Sequence, residues 1–476
     1  MGETLGRAEV REGALETTEV SHVELESFTS SIVGVAGYYP LGSFLFPTGG
    51  FQQTIVGTED GKLTELFWRP GETVNHEELF DFSSISTPKI VGVAAYYSDN
   101  DGFHHQDVAT EDGTLHELFW QPGPGVNHGV LRKFGSPIVG VAAYFVPEDL
   151  FHHQDLATED RTLHELFWLA GPDTPVNHGV LREFDSPVVG VAAFYTPDGF
   201  QHQIVATEDR NLHQLFFRPG PALPDHRVLQ QFTSDILGVA GYNTPDGFRR
   251  AIVATGDGNL TRLSWKPGED IDQTEIPHGL ATRVVAVAGY FSYGDNRQHV
   301  ILATEDGTVH DLNFGIEDDL GYPGDTASKP EIARWMARCA EERGLPPELP
   351  VMTSLVEVGA GPGFGWNEGM RNVRDAIGFS SAVDFDSLGF FQQRFLFWGC
   401  RREENNCTPQ QKLENLIYPP HAITEFLDEA EVQRAVFGFT NEDESSFGAW
   451  CQAVQRSAFP FRYQQQLIPA RTLINS

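Results

Sequence analysis

The sequence predicts a multidomain chain: an all-β, six-bladed β-propeller followed by a mainly α-helical domain. Three observations carry this. One phrase is written six times across residues 18–315. The two ends of that array are complementary fragments of the same phrase. Beyond residue 328 the apolar period changes from about two to about 3.6 residues.

The phrase reads G-V-A-x-Y/F, a polar loop, V-A-T-E-D-G-x-L-H-E-L-F-W, a Pro/Gly loop, then N-H-x-x-L-x-x-F. Its first glycine is Gly34, Gly92, Gly140, Gly190 and Gly238, with Ala286 in the sixth copy. Its turn aspartate is Asp60, Asp112, Asp160, Asp209, Asp257 and Asp306. After a longer first copy the period is 48 to 50 residues. That period, with about four short β-type runs per copy, is the signature of propeller blades. The sixth copy stops at Phe314, without the closing H-x-x-L-x-x-F. The missing piece stands at the other end, where His22, Leu25 and Phe28 match His76, Leu79 and Phe82. The first strand is therefore expected to complete the last blade and remove an unpaired edge. Residues 1–17 are polar and acidic and read as a flexible tail.

Within a blade, Asp-Gly between apolar runs suits a tight hairpin that needs positive φ. Asp160-Arg161 and Asp209-Arg210 break that rule, so those turns carry strain or another geometry. The Gly and Ala of the G-V-A run suit innermost strands crowded around the axis. Alternation sets Leu163, Glu165 and Phe167 on one face and His164, Leu166 and Trp168 on the other.

Residues 316–328, rich in Gly and Asp, read as a linker. Ser328-Lys329-Pro330-Glu331 is a capping box with proline at the first helical position. Ile332, Trp335, Met336 and Cys339 then form one apolar stripe, ended by Gly344. A second helix is expected from about Pro350 to Glu357. PPHAITEFLDEAEVQRAVF and SFGAWCQAVQRS read as two more, so residues 329–476 form the helical domain.

Composition narrows the function. Asp and Glu number 67 against 32 Lys and Arg, a formal charge of −35. Nucleic acid is excluded as a partner, because phosphate binding needs a basic footprint. The charge gives no affinity for anionic membranes, and no run of about 18 apolar residues is present for membrane insertion. The opening MGETLGRAEVREGALETTEV has no apolar core and does not read as a secretory signal. The four cysteines all lie in the last third. Cys400 and Cys407 bracket a polar loop that a disulfide would close. Cys339 and Cys451 fall on apolar helical faces, as two buried thiols or as a second bridge. No C-x-x-C is present, so no metal site is expected, and no cofactor.

The blocks GLPPELPVMTSLVEVG, DFDSLGFFQQR and AWCQAVQRSAFPFRY follow one another in an order that resembles the lysozyme-like fold of lytic transglycosylases and goose-type lysozymes. They look closest to the transglycosylase-like domains of phage tail proteins and actinobacterial cell-wall enzymes. The resemblance covers about residues 329–470. It implies that Glu357, ending an apolar helix, is the catalytic acid. It also implies that Ser387, Gly389 and Gln392 shape the floor of a sugar cleft, with Tyr463 a further substrate-binding candidate. The family's serine after the glutamate is here Val358, and the Gly-rich loop that follows is long.

Physical reasoning supports Glu357 independently. A general acid must keep its proton near neutral pH. Leu355, Val356 and Val358 surround Glu357 in sequence, and a helix C-terminus disfavours negative charge. Hydrolysis usually wants a second carboxylate, for which Asp384 and Asp386 are the candidates. Their alternative is a turn or cap role. A transglycosylase needs no second acid, because the substrate's own hydroxyl closes on the anomeric carbon.

In the propeller, Trp68, Trp120, Trp168 and Trp265 are candidate sugar-stacking platforms, set against the alternative of core between blades. His116, His164, His213 and His310 recur once per blade and read as structural hydrogen-bonders, as do His22, His76, His128, His178, His226 and His278. His104-His105 and His152-His153 are expected near polar loops with access to solvent. The repeats resemble those of propeller lectins in period and aromatic content.

The expected function is degradation of peptidoglycan glycan strands between N-acetylmuramic acid and N-acetylglucosamine. The propeller would bind a surface glycan or a particle component. The alternative is a propeller lectin or particle-docking protein with an inactive tail. Action at the cell wall without a signal peptide implies delivery by a phage, an injection machine or a non-classical route.

Overall fold

The computed structural model describes residues 20–40, 51–85, 89–98, 100–121, 125–147, 149–169, 174–220, 224–316, 320–358, 387–394, 398–400, 407, 412, 415–457 and 461–476. The N-terminal tail, the loop after Val358, and Asp384 and Asp386 with it, lie outside them.

Six four-stranded antiparallel sheets make the propeller. Blade 1 is Ile32–Tyr38, Gln52–Thr58, Lys62–Trp68 and Asn75–Asp81. Blade 2 is Ile90–Ser98, Phe103–Thr110, Thr114–Trp120 and Asn127–Lys133. Blade 3 is Ile138–Val146, Phe151–Thr158, Thr162–Leu169 and Asn177–Glu183. Blade 4 is Val188–Tyr195, Gln201–Thr207, Asn211–Phe217 and Asp225–Gln231. Blade 5 is Ile236–Asn243, Arg249–Thr255, Leu260–Trp265 and Asp272–Glu275. Blade 6 takes Val284–Ser292, Arg297–Thr304 and Thr308–Gly315 from its own copy and Ser21–Ser27 from the N-terminus. His22 opposes Leu312 there as His76 opposes Leu66 in blade 1, so the borrowed strand sits in the family register of its siblings. The innermost strand of blade 6 packs on that of blade 1 and closes the ring.

The recurring residues have physical reasons. A Cβ on Gly140 would stand 3.3 Å from Val191 of the next blade, and one on Gly190 3.2 Å from Val239. The glycine therefore lets adjacent inner strands approach. Each turn aspartate accepts a hydrogen bond from the threonine two residues before it, as in Thr58 Oγ1 to Asp60 at 2.6 Å and Thr304 Oγ1 to Asp306 at 2.6 Å. The residue after it takes positive φ: 87° at Gly61, but also 72° at Arg161 and 70° at Arg210. Those two turns keep the shared geometry and accept the strain. Their side chains offset it by reaching the next loop, Arg161 to Asp185 O at 3.0 Å and Arg210 to Asp235 at 2.9 Å. Alternation also holds: Leu163 packs with the core shared with blade 4, Leu166 and Trp168 with that shared with blade 2.

The tail contains helices α1 (Lys329–Glu342), α2 (Glu348–Glu357), α3 (Pro419–Phe437), α4 (Phe447–Gln455) and α5 (Leu467–Ile474). The Ser328 capping box forms, and Gly344 and Gly438 follow α1 and α3 at positive φ. Helix α5 was not expected, because Pro469 interrupts its pattern. It stands in the first turn, where its missing N–H has no intrahelical partner in any case. One core gathers Trp335, Met336, Met352, Phe391, Phe426, Trp450 and Tyr463. Among the described residues no helix is long and apolar enough to cross a membrane.

Residues 320–328, read as a linker, are fastened on both sides. Thr326 Oγ1 donates to Gly294 O of the propeller at 2.7 Å, while Tyr322 is buried in the tail core. Cys400 and Cys407 form a disulfide, and Cys339 and Cys451 are buried free thiols.

Candidate functional site

Glu357 is the last residue of α2, half-buried, with the fully buried Tyr463 beside it. The Tyr463 hydroxyl donates to Glu357 Oε1. Burial pushes the Glu357 carboxyl up. The Tyr463 hydrogen bond and the Arg462 charge pull the other way without cancelling it. Burial, then the Glu357 charge, push the Tyr463 hydroxyl up as well, so it remains a donor. With Oε1 engaged by Tyr463, Oε2 is the oxygen left free of that bond. Tyr463 was expected to touch substrate. At 0% exposure it instead holds the carboxyl, because its ring fills the core under α2.

Ser387–Leu388 pairs with Gln393–Arg394 in a small hairpin. Its turn has Gly389 at φ 72° and Gln392 at φ 47°. The Gln392 amide turns back to Gly389 O at 3.1 Å. Phe390 and Phe391 anchor this hairpin in the core that also holds α2. Val358 is buried and its N–H bonds Ser354 O at 3.0 Å.

The propeller candidates behave differently. Trp68 and Trp168 are 7% exposed and Trp265 0%. Trp120 lies against His104 with ring centroids 4.2 Å apart and donates to Gln106 at 3.1 Å. The first three indoles are core between blades rather than open stacking faces, because each third strand is covered by its neighbour.

His104, His105, His152 and His153 are also buried, against the expectation of solvent access. They sit on second strands, sandwiched between blades, and build polar seams. Tyr38 Oη meets His104 Nδ1 and Tyr96 Oη meets His152 Nδ1, both at 2.8 Å; Tyr144 Oη donates to Gln201 at 2.9 Å. Four outer histidine pairs bond ring to ring at 3.0–3.1 Å: His22–His310, His116–His128, His164–His178 and His213–His226. His76 turns to Glu26 and His278 to Gly258 O, both at 2.9 Å. Those sets are structural hydrogen-bonders. The sequence showed that each histidine recurs, but carried no signal that His104 and His152 meet tyrosines of the preceding copy.

No family model matches the chain, and no curated protein matches it. Among solved structures, it is similar to the BP39L lectin from Burkholderia pseudomallei at 15% identity, covering 60% of this chain and 84% of that one, with a TM-score of 0.44. It is similar to the Aleuria aurantia lectin, solved with alpha-methyl-L-fucoside, at 13% identity, 61% and 93% coverage and a TM-score of 0.46. AofleA from Arthrobotrys oligospora gives 12%, 63% and 88%, and 0.44. The six-blade architecture itself is read from this chain's own strand pairing.

Proposed function

We propose that the tail is a peptidoglycan-degrading enzyme, a lytic transglycosylase or muramidase. It would cleave the β-1,4 bond between N-acetylmuramic acid and N-acetylglucosamine, with the propeller as a glycan- or surface-binding module. The observation that carries this reading is the Glu357 carboxyl, pushed up by burial at a helix C-terminus and held by a buried tyrosine. The order of sequence blocks around it supports the same reading. Glu357 gives its proton to the glycosidic oxygen as the bond breaks. Tyr463 fixes which oxygen faces that task. The positive charge developing at the anomeric carbon is then met by water, or by the substrate's own hydroxyl.

A second reading, a glycan-binding protein that does not cut, is favoured by Val358. A buried, apolar side chain stands where the family has a serine hydroxyl.

The test is clearing of a peptidoglycan suspension. Glu357→Gln keeps the shape and removes the donor, so activity is expected to fall at least about 100-fold with glycan binding intact. Wild-type clearing by that variant would sink the assignment. Asp386→Asn separates the chemistries: a transglycosylase tolerates it and releases anhydro sugars, lighter by one water in mass spectra. A hydrolase that uses this carboxylate collapses.

A further inference from the structure

Asp101, His105 and His152 bring one ligand atom each to within 4.8 Å of the others, at the seam between blades 2 and 3. His105 Nε2 lies 3.2 Å and His152 Nε2 3.5 Å from Asp101 Oδ2. Zinc bonds of about 2.0–2.2 Å at tetrahedral angles hold donor atoms about 3.4 Å apart, so both separations from Asp101 Oδ2 fit a shared ion. His152 is 0% exposed, and its Nε2 has no hydrogen-bond partner. Asp101 keeps 18% of its side chain exposed, which gives a way in from solvent.

The far side of each imidazole is also held. His105 Nδ1 lies 2.9 Å from Glu117 Oε1, and His152 Nδ1 2.8 Å from Tyr96 Oη. Binding a cation needs both imidazoles neutral with the proton on Nδ1, which turns both Nε2 lone pairs toward Asp101; without a cation, His105 Nε2 donates to Asp101 Oδ2 at 3.2 Å instead. Carboxylate and hydroxyl supports of this kind orient metal-binding histidines.

We propose that Asp101, His105 and His152 bind a divalent transition cation of the zinc class, clamping blade 2 to blade 3 and leaving one coordination position open. The other seams supply the contrast. Between blades 3 and 4, Asp149 and His153 repeat Asp101 and His105, but Gln201 stands in the place of His152. Between blades 6 and 1, Asp295 and His299 repeat them with Gln52. Those seams lack the third nitrogen.

The test is equilibrium dialysis of the chelator-stripped full chain against Zn²⁺, with Co²⁺ as a spectroscopic probe. One tight equivalent per chain is expected, with the intense visible bands of a low-coordinate Co²⁺ site. His152→Gln copies the residue that the fold already accepts at Gln201. It is expected to weaken binding at least about tenfold with an unchanged circular dichroism spectrum. Asp149→Asn, in the sister seam, should leave the equivalent intact. No tight equivalent in the wild type, or one that survives His152→Gln, overturns the proposal. Loss of the equivalent on Asp149→Asn overturns the placement.

Discussion

Replacing Glu65 by glutamine is expected to stabilise the propeller at neutral and higher pH and to leave it unchanged in acid. Glu65 occupies in blade 1 the place of Glu117 in blade 2 and Glu165 in blade 3. Those two carboxylates face the cationic imidazoles of His105 and His153 at 2.9 Å. Glu65 is 3% exposed, and with Gln53 in place of the imidazole its Oε1 has no hydrogen-bond partner. Burial, and then Glu77 across the strand pair, push its carboxyl from 4.5 up to about 8. A folded state that holds this proton more tightly than the unfolded chain loses stability as pH rises from about 4.5 to 8. At about 1.36 kcal/mol per pH unit, the loss is about 5 kcal/mol once pH passes 8. Glutamine removes it, and the fold already uses Gln214 at the same place in blade 4. At about 2 °C per kcal/mol for a large domain, the propeller transition should rise on the order of 10 °C at pH 8.5 and not move at pH 4. Gln53→His should flatten the wild-type profile by returning the missing cation. Thermal melts across pH decide it: a Glu65→Gln gain of the same size at pH 4 and pH 8.5 would refute the reasoning.

Gly307→Ala attacks the closure of the ring. Its φ is 84°, and a Cβ there would stand 2.5 Å from Phe28 O, so a loss of at least about 2 kcal/mol is expected, with faster amide exchange in residues 21–27. Ellman titration of the unreduced chain should find two thiols after denaturation and almost none before. Burial pushes Cys339 up to about 11 and Cys451 up to about 12, and the Cys400–Cys407 bridge removes the other two.

What the sequence discloses and what it conceals divide along one physical line. Residues that serve their own blade are legible, because their partners lie within a few positions. The turn aspartates take hydrogen bonds two residues away, and the caps at Ser328 and Gly344 bound their own helix. The borrowed strand is legible because it repeats a fragment missing elsewhere. Residues that serve a seam are not. His152 meets Tyr96 56 positions away, in another copy, and Glu357 meets Tyr463 106 positions away. The adjacent histidines read as solvent-accessible because the polar loop beside them is visible in the sequence, whereas the blade covering them is not. The tryptophans show the same blindness from the apolar side.

The strand that finishes the propeller is the first one made. His22 bonds His310, 288 residues later. At about 5–20 residues per second of translation, the segment waits on the order of half a minute for its partner. Blades 1 to 5 are complete hairpin by hairpin as they emerge, whereas the sixth stays open until Thr308–Gly315 has left the ribosome. The final step therefore makes the contact of greatest sequence separation in the domain, and it comes last. Once Thr308–Gly315 has emerged and until Ser21–Ser27 docks on it, that outer edge of blade 6 is the place where the first strand of a second nascent chain would pair by mistake, giving a propeller swapped between two molecules.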